Sequence, residues 1–277
     1  MILDGKYVSD LIRARVKNEV STIEDKITLM VILVGNDPAS QVYVASKEKA
    51  CKRAGIASVT KLLDDNVSQK EVIQVIKEAN NDNTIHGILL QLPLPKHLNE
   101  HEIINQILPE KDVDGLTNEN QGKLFTGQKT IIPATPKGVM TILRHYHIEL
   151  SGKNAVVVGR SILVGKPMAM LLLHENATVT MAHSRTKNLK EITKKADVIV
   201  SAVGKHNFIT GDMVKPEAVV IDVGINRVQG KIVGDVNFSE VEEIVGYITP
   251  VPGGVGPMTI ASLLENVVEC YKLCNRK

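Results

Sequence analysis

The sequence predicts a two-domain α/β protein with parallel sheets, and three observations carry that reading. At 277 residues the chain is long for one compact core and suits two domains. Short apolar runs alternate with helical segments in a first series, and the alternation resumes from Asn154. The opening strand of that second series runs through a turn with two glycines into a helix, the setting of a dinucleotide-binding turn.

The first series has apolar runs at Thr28–Val34, Ala57–Leu63 and His86–Leu92 that read as buried parallel strands. Helical segments fall between them, at Pro38–Arg53 and Ser68–Asn80. Asp37 is a natural N-cap with Pro38 in the first turn, and Gly55 ends the helix. The stretch from Asp112 to Pro136 has the turn residues of a connector. In the second series the strands are Asn154–Val158, Ala177–Ala182, Asp197–Val203 and Ala218–Val223, with helices at Lys166–Glu175 and Leu189–Lys195. Pro257–Leu273 reads as a long amphipathic helix after a Pro/Gly-rich loop, placed to return to the first domain.

Hydrophobic content of 43% and charged content of 23% are ordinary for a globular protein. A net charge of +2 gives no general attraction to nucleic acid or membrane, and 3% aromatic content without tryptophan weakens any base-stacking surface. The N-terminus lacks a signal-peptide pattern, and no apolar stretch is long enough to span a bilayer. Cys51, Cys270 and Cys274 form no CxxC pair, and their odd number argues against a disulfide framework, so the cytoplasm is the expected compartment.

Tyr43 and Lys47 lie four apart on one helical face, near the end of a strand, where a phenol and an amine can serve proton transfer. Alone, the pair also fits a solvated lysine with a tyrosine packed on its stem. Gln91 closes an apolar strand, where its amide faces the usual ligand crevice of an α/β sheet or satisfies loop backbone. Asp112 and Asp114 either bind a ligand's donors or make an Asx-turn. The loop Thr249–Pro257 suits close approach to a flat ligand, or a hinge. His97 and His101 have i,i+4 spacing but no acidic third ligand, so no metal site is expected.

Gly159 permits a tight turn, Gly165 a close helix entry, and free N–H groups there can hold a pyrophosphate. The pattern departs from GxGxxG: Ser161 stands at the second glycine and the last glycine comes one residue late. After the next strand the chain has His183-Ser184-Arg185, where NAD enzymes often carry an acid. A cationic, hydroxyl-bearing loop favours the 2′-phosphate of NADP; an ordinary surface turn is the alternative.

Six segments in order resemble the methylenetetrahydrofolate dehydrogenase/methenyltetrahydrofolate cyclohydrolase family. They are Val34–Lys47, Gln91–Pro95, Pro109–Gly115, Gly159–Pro167, Val220–Asn226 and Thr249–Thr259. The resemblance implies two α/β domains flanking a cleft, the second a Rossmann-like dinucleotide-binding domain. Its implied boundaries are 1–118 for a folate-binding catalytic domain, 119–256 for the NADP-binding domain, and 257–277 for a C-terminal helix returning to the first. It implies oxidation of 5,10-methylenetetrahydrofolate with NADP, then hydrolysis to 10-formyltetrahydrofolate, by a homodimer. Tetrahydrofolate one-carbon derivatives are the implied substrates, with no protein-bound metal.

Carried over by matching residues, Lys47 is the implied general acid/base, Gln91 orients it, and Tyr43 holds the folate near the reacting carbon. Asp114 accepts from pterin N–H groups, and Pro252 and Gly253 shape the folate wall. Gly159, Arg160, Ser161, Gly165, Ser184, Arg185 and Ile225 form the implied cofactor site, with Arg160, Ser184 and Arg185 at the phosphate. The chain departs from the family at Leu116-Thr117-Asn118, Ala134 and Asn237. A monofunctional NADP-dependent dehydrogenase and a non-catalytic nucleotide-sensing scaffold are the alternative readings.

Overall fold

In the computed structural model, which describes residues 1–275, internal contacts divide the chain into two compact units. One comprises Leu11–Ala134 and the chain from Ile260 onward; the other comprises Met1–Asp10 and Thr135–Thr259. This division falls elsewhere than at 118/119 and 256/257. Residues after 118 stay with the first unit because Asn120 donates to Pro109 O (2.9 Å) and Gln121 to Gly115 O (2.6 Å).

Helix α1 (Gly5–Ser21), ahead of the first predicted strand, buries Val8, Ile12, Val16 and Val20, an apolar stripe at i,i+4 spacing. In the first unit β1 (Thr28–Val34) is followed by α2 (Pro38–Ala54), β2 (Ala57–Leu63), α3 (Gln69–Asn81), β3 (Gly87–Leu90) and the short α4 (Glu100–Ile104). The sheet order is β2-β1-β3, all parallel. The chain thus leaves β1 to one side and returns to the other, making β1 a switch point of the kind that opens a ligand crevice at the strands' C-terminal ends.

The caps are those the residues dictate. The Asp37 carboxylate accepts Ser40 N–H (2.7 Å), and Gly55, left-handed at φ 81°, closes α2. Ser68 and Glu71 form a reciprocal capping box on α3. Ile32, Val34, Val72, Ile76, Ile88, Leu90, Ile103 and Ile104 fill the core. Lys111, 5% exposed, donates to the carbonyls of Ala79, Asn80 and Asp82 (3.0, 2.8 and 2.8 Å), placing a cation at the C-terminal end of α3.

The expected connector contains two helices, α5 (Asn118–Phe125) and α6 (Ala134–His145). The unusual Thr117 caps α5, its hydroxyl accepting Asn120 N–H. Pro136 sits in the first turn of α6, where it has no intrahelical donor to lose, so its turn chemistry marks a helix start.

In the second unit β4 (Asn154–Val158), α7 (Gly165–His174), β5 (Thr178–Ala182), α8 (Leu189–Thr193), β6 (Val198–Ser201) and β7 (Val219–Asp222) follow in turn. A hairpin, β8 (Asn226–Val228) and β9 (Lys231–Val233), turns through Gln229 and Gly230, both at positive φ. Then come α9 (Phe238–Val241), β10 (Tyr247–Ile248) and the start of α10 (Val255–Cys274), whose residues from Ile260 belong to the first unit. The sheet order is β10-β7-β6-β4-β5, all parallel, so β4 is the switch point. Val156, Val158, Ile199, Val220 and Ile248 lie in its core. No helix among the described residues is long and apolar enough to cross a membrane.

Candidate active site

The first unit brings Lys47, Gln91 and Asp114 together from three elements. Lys47 projects from α2, the helix after the switch strand β1. Gln91 follows β3 and continues its pairing, its N–H donating to Ile32 O (2.9 Å). The segment before Asp114 runs beside β3 through the parallel bridge Ile88↔Asp112. Gly87 permits this approach: a Cβ there would lie 2.5 Å from Val113 Cγ1.

Lys47 Nζ donates to Gln91 Oε1 at 3.0 Å, and Gln91 Nε2 donates to Leu92 O at 2.7 Å. Burial pulls the Lys47 amine below the ordinary lysine range, while the charge of Asp114 pulls it back up. Burial likewise raises Asp114, opposed by the Lys47 ammonium and reinforced by Asp112. A half-buried amine with one fixed acceptor, a pKa lowered by burial and a carboxylate at electrostatic range is suited to carry a proton. Tyr43, one turn before Lys47, is 46% exposed, so its ring is presented to solvent rather than packed into the core.

The two aspartates have separated. Asp112, 1% exposed, accepts Thr117 N–H (2.8 Å) and Asn120 Nδ2 (2.9 Å), so the loop-building role is its own. The half-buried Asp114 carboxylate accepts no hydrogen bond among the described residues, which leaves its oxygens available to a ligand. Its backbone is rigid: Gly115 has φ 63° and a Cβ there would lie 2.4 Å from Ile131 O, while Asn266 of α10 donates to Val113 O and Ile132 O, both at 2.8 Å. Cys51 is fully buried and its thiol is pushed up to about 12, which makes it a packing residue.

The cofactor candidates lie in the second unit, and one expectation is corrected there. The N–H groups at the start of α7 are not free. Ser161 Oγ accepts from Val164 (3.1 Å) and Gly165 (3.5 Å), Ser161 O accepts from Lys166 (3.0 Å), and Pro167 has no N–H. A serine in place of a glycine supplies an oxygen that caps its own helix. Open backbone N–H groups lie one turn earlier, in the exposed loop Arg160–Leu163, where they have no acceptor among the described residues. Gly159, at φ 135°, and Gly165 are both obligatory: a Cβ would lie 2.5 Å from Ala202 O at the first and 2.3 Å from Gly159 O at the second.

The register pairs Val158 with Ala182, so Arg160 and Ser184 each follow two residues beyond adjacent strand ends. Ser184 and Arg185 are exposed on a turn closed by Thr186 N–H to His183 O (2.8 Å) and Arg185 N–H to His183 Nδ1 (3.1 Å). Two guanidinium groups, a hydroxyl and a run of open N–H groups therefore border the switch strand, a donor set that fits a phosphorylated dinucleotide. Ile225 is 48% exposed between β7 and β8.

Pro252 and Gly253 belong to this second unit. Gly253 has φ 107° and its carbonyl accepts Lys6 N–H (2.8 Å). His97 and His101 take separate partners, Val67 O (2.9 Å) and Asn118 Oδ1 (3.1 Å), and no cluster of three potential metal ligands occurs among the described residues.

Two family models match the chain. Residues 3–114 match the catalytic domain of tetrahydrofolate dehydrogenase/cyclohydrolase, and residues 133–275 match its NAD(P)-binding domain. The bifunctional protein FolD of Oceanobacillus iheyensis is 53% identical over 99% of this chain and 98% of that protein. Among solved structures, the bifunctional FolD methylenetetrahydrofolate dehydrogenase/cyclohydrolase of Campylobacter jejuni has a TM-score of 0.97 at 48% identity, covering 99% of both chains. The Trypanosoma brucei N5,N10-methylenetetrahydrofolate dehydrogenase-cyclohydrolase, solved with NADP cofactor and inhibitor, has a TM-score of 0.95 at 36% identity, covering 100% of this chain and 99% of that one.

Proposed function

The chain belongs to the tetrahydrofolate dehydrogenase/cyclohydrolase family, and from that premise we propose that it is a bifunctional enzyme of one-carbon folate metabolism. It oxidises 5,10-methylenetetrahydrofolate to the 5,10-methenyl cation with NADP and hydrolyses that cation to 10-formyltetrahydrofolate. NADP, when bound, takes up the hydride.

The Lys47–Gln91 hydrogen bond is the observation that most supports the hydrolytic half. In this reading the neutral Lys47 amine takes a proton from the water that adds to the methenyl carbon. It returns that proton to the ring nitrogen as the carbon–nitrogen bond breaks. Gln91 fixes the amine's direction. The cationic substrate further disfavours the ammonium, so substrate binding itself prepares the base. Asp114 accepts pterin N–H donors, and Tyr43 offers its ring to the folate. Pro252 and Gly253 remain folate contacts by resemblance.

The cofactor is held by the backbone N–H groups of the Arg160–Leu163 loop, Ser161 included, which Gly159 opens, by Ile225, and by Arg160, Ser184 and Arg185 at the 2′-phosphate; Gly165 gives α7 its close entry. The protein acts as a cytoplasmic homodimer. Its uncovered edge strand β2, with Val59 and Leu62 48% and 56% exposed, is the surface offered to a second copy. The three free cysteines agree with a reducing compartment. A spectrophotometric assay with methylenetetrahydrofolate and each nicotinamide cofactor, followed by one with methenyltetrahydrofolate alone, tests both activities. Failure to hydrolyse the second substrate would leave a monofunctional dehydrogenase.

A further inference from the structure

The second unit carries two buried carboxylates that no step above uses. Asp222 ends β7 and Asp235 follows β9; they are 3% and 0% exposed. Each is held by neutral donors. Asp235 accepts the N–H groups of Val203 (2.7 Å), Gly204 (3.2 Å) and Lys205 (2.8 Å), the Ser201 hydroxyl (3.3 Å) and Asn226 Nδ2 (3.1 Å). Asp222 accepts the N–H groups of Gly224, Asp235 and Val236, each at 2.9 Å. Asp222 therefore fixes the backbone of Asp235, and Asp235 fixes two further loops.

The pair also explains two glycines. A Cβ at Gly224 would lie 2.2 Å from Asp235 Oδ1, and one at Gly234 would lie 1.8 Å from Asp222 Oδ2. A buried carboxylate is costly unless its lone pairs are filled, and three successive backbone N–H groups fill one oxygen pair as they would an anionic ligand. The Val203–Lys205 loop is thus wrapped around an internal anion.

What the two carboxylates hold lies beside the cofactor candidates. The carbonyl of Ala202, at the entry to the wrapped loop, packs on Gly159, the glycine that opens the Arg160–Leu163 turn. Ile225 is presented between Gly224, whose N–H is held by Asp222, and Asn226, whose amide is held by Asp235. We infer that Asp222 and Asp235 form one positioning pair for the NADP site, setting the Gly159 turn and Ile225 through the loops they bind. This rests on the NADP assignment made above.

The test is Asp235→Asn in the full-length enzyme. The substitution puts an NH₂ group among N–H donors, so the loop must open on at least one side. NADP affinity, read by equilibrium calorimetry, should fall about tenfold or more, with the Michaelis constant for NADP rising in parallel. Hydrolysis of methenyltetrahydrofolate, measured without NADP, should stay within about twofold, because Lys47, Gln91 and Asp114 belong to the other unit. Asn226→Ala, which removes one donor and keeps the charge, should give a smaller loss of the same kind and decides the matter if Asp235→Asn does not fold. Unchanged NADP affinity in a folded variant, or equal loss of both activities, would overturn the positioning role. A parental enzyme that fails to bind NADP would instead overturn the cofactor assignment.

Discussion

Lys47 and Gln91, separated by 44 positions in the chain, meet with Nζ 3.0 Å from Oε1. The Gln91 NH₂ group donates to Leu92 O at 2.7 Å, which fixes the amide with its oxygen toward the lysine. That oxygen favours the ammonium as a hydrogen-bond acceptor but adds no net charge. The amine is thus directed without being locked in its charged form.

Gln91→Glu should spoil that balance in a predictable direction. A carboxylate beside Lys47 raises its pKa, so less free amine is present near neutrality. Cyclohydrolase activity should fall at neutral pH and recover as the pH rises. A pH–rate profile of the variant beside the parent checks this; an unshifted ascending limb, on the acid side of the profile, would separate Lys47 from the rate.

Asp114→Asn should weaken folate use and leave NADP affinity intact. Loss of a charge-assisted hydrogen bond costs about 1.5–3 kcal/mol, roughly tenfold to a hundredfold in transition-state binding. The pH profile should also move. The Asp114 charge raises Lys47, so its removal lowers the lysine further and shifts the ascending limb of the profile to lower pH. Asp112→Asn, by contrast, should cost stability, because Asp112 holds Thr117 N–H and the Asn120 amide. Separate folate and NADP titrations with a thermal melt distinguish the two.

Arg160→Ala should raise the Michaelis constant for NADP more than that for NAD, since only NADP carries the 2′-phosphate. Steady-state kinetics with both cofactors measure it. Equal effects would place Arg160 at the pyrophosphate.

Lys111→Met should destabilise the first unit without a change in substrate preference. Three carbonyls at the end of α3 would lose a buried ammonium donor. Hydrogen bonds to a charged group are worth about 1.5–3 kcal/mol each before relaxation, so a net loss on the order of 2–3 kcal/mol is expected in denaturant unfolding.

Much of this was legible from local chemistry. Asp37, Pro38 and Gly55 bracket α2 because capping is a short-range matter, and β1 and β2 have the expected limits. The face shared by Tyr43 and Lys47 follows from helical spacing. The remaining site geometry depends on contacts distant in sequence. Nothing near Asp112 or Asp114 tells which one is tied to Thr117 and Asn120. Ser161 as a cap on α7 is a tertiary detail of a turn one residue longer than the usual pattern. Helix α1 is marked in the sequence by the spacing of Val8, Ile12, Val16 and Val20, an apolar stripe at i,i+4. Asp222 lies in the Val220–Asn226 segment, yet its joint role with Asp235 needs β7 and the end of β9 brought together.

The assignment of Lys47 as the proton carrier is tested most directly by Lys47→Met, assayed on one preparation for both reactions. Methionine keeps much of the aliphatic stem and removes the amine. Hydrolysis of methenyltetrahydrofolate should be nearly abolished, while NADP-dependent oxidation of methylenetetrahydrofolate persists in part, because hydride transfer does not formally need the amine. Hydrolysis at the parental rate by the folded variant would contradict the account.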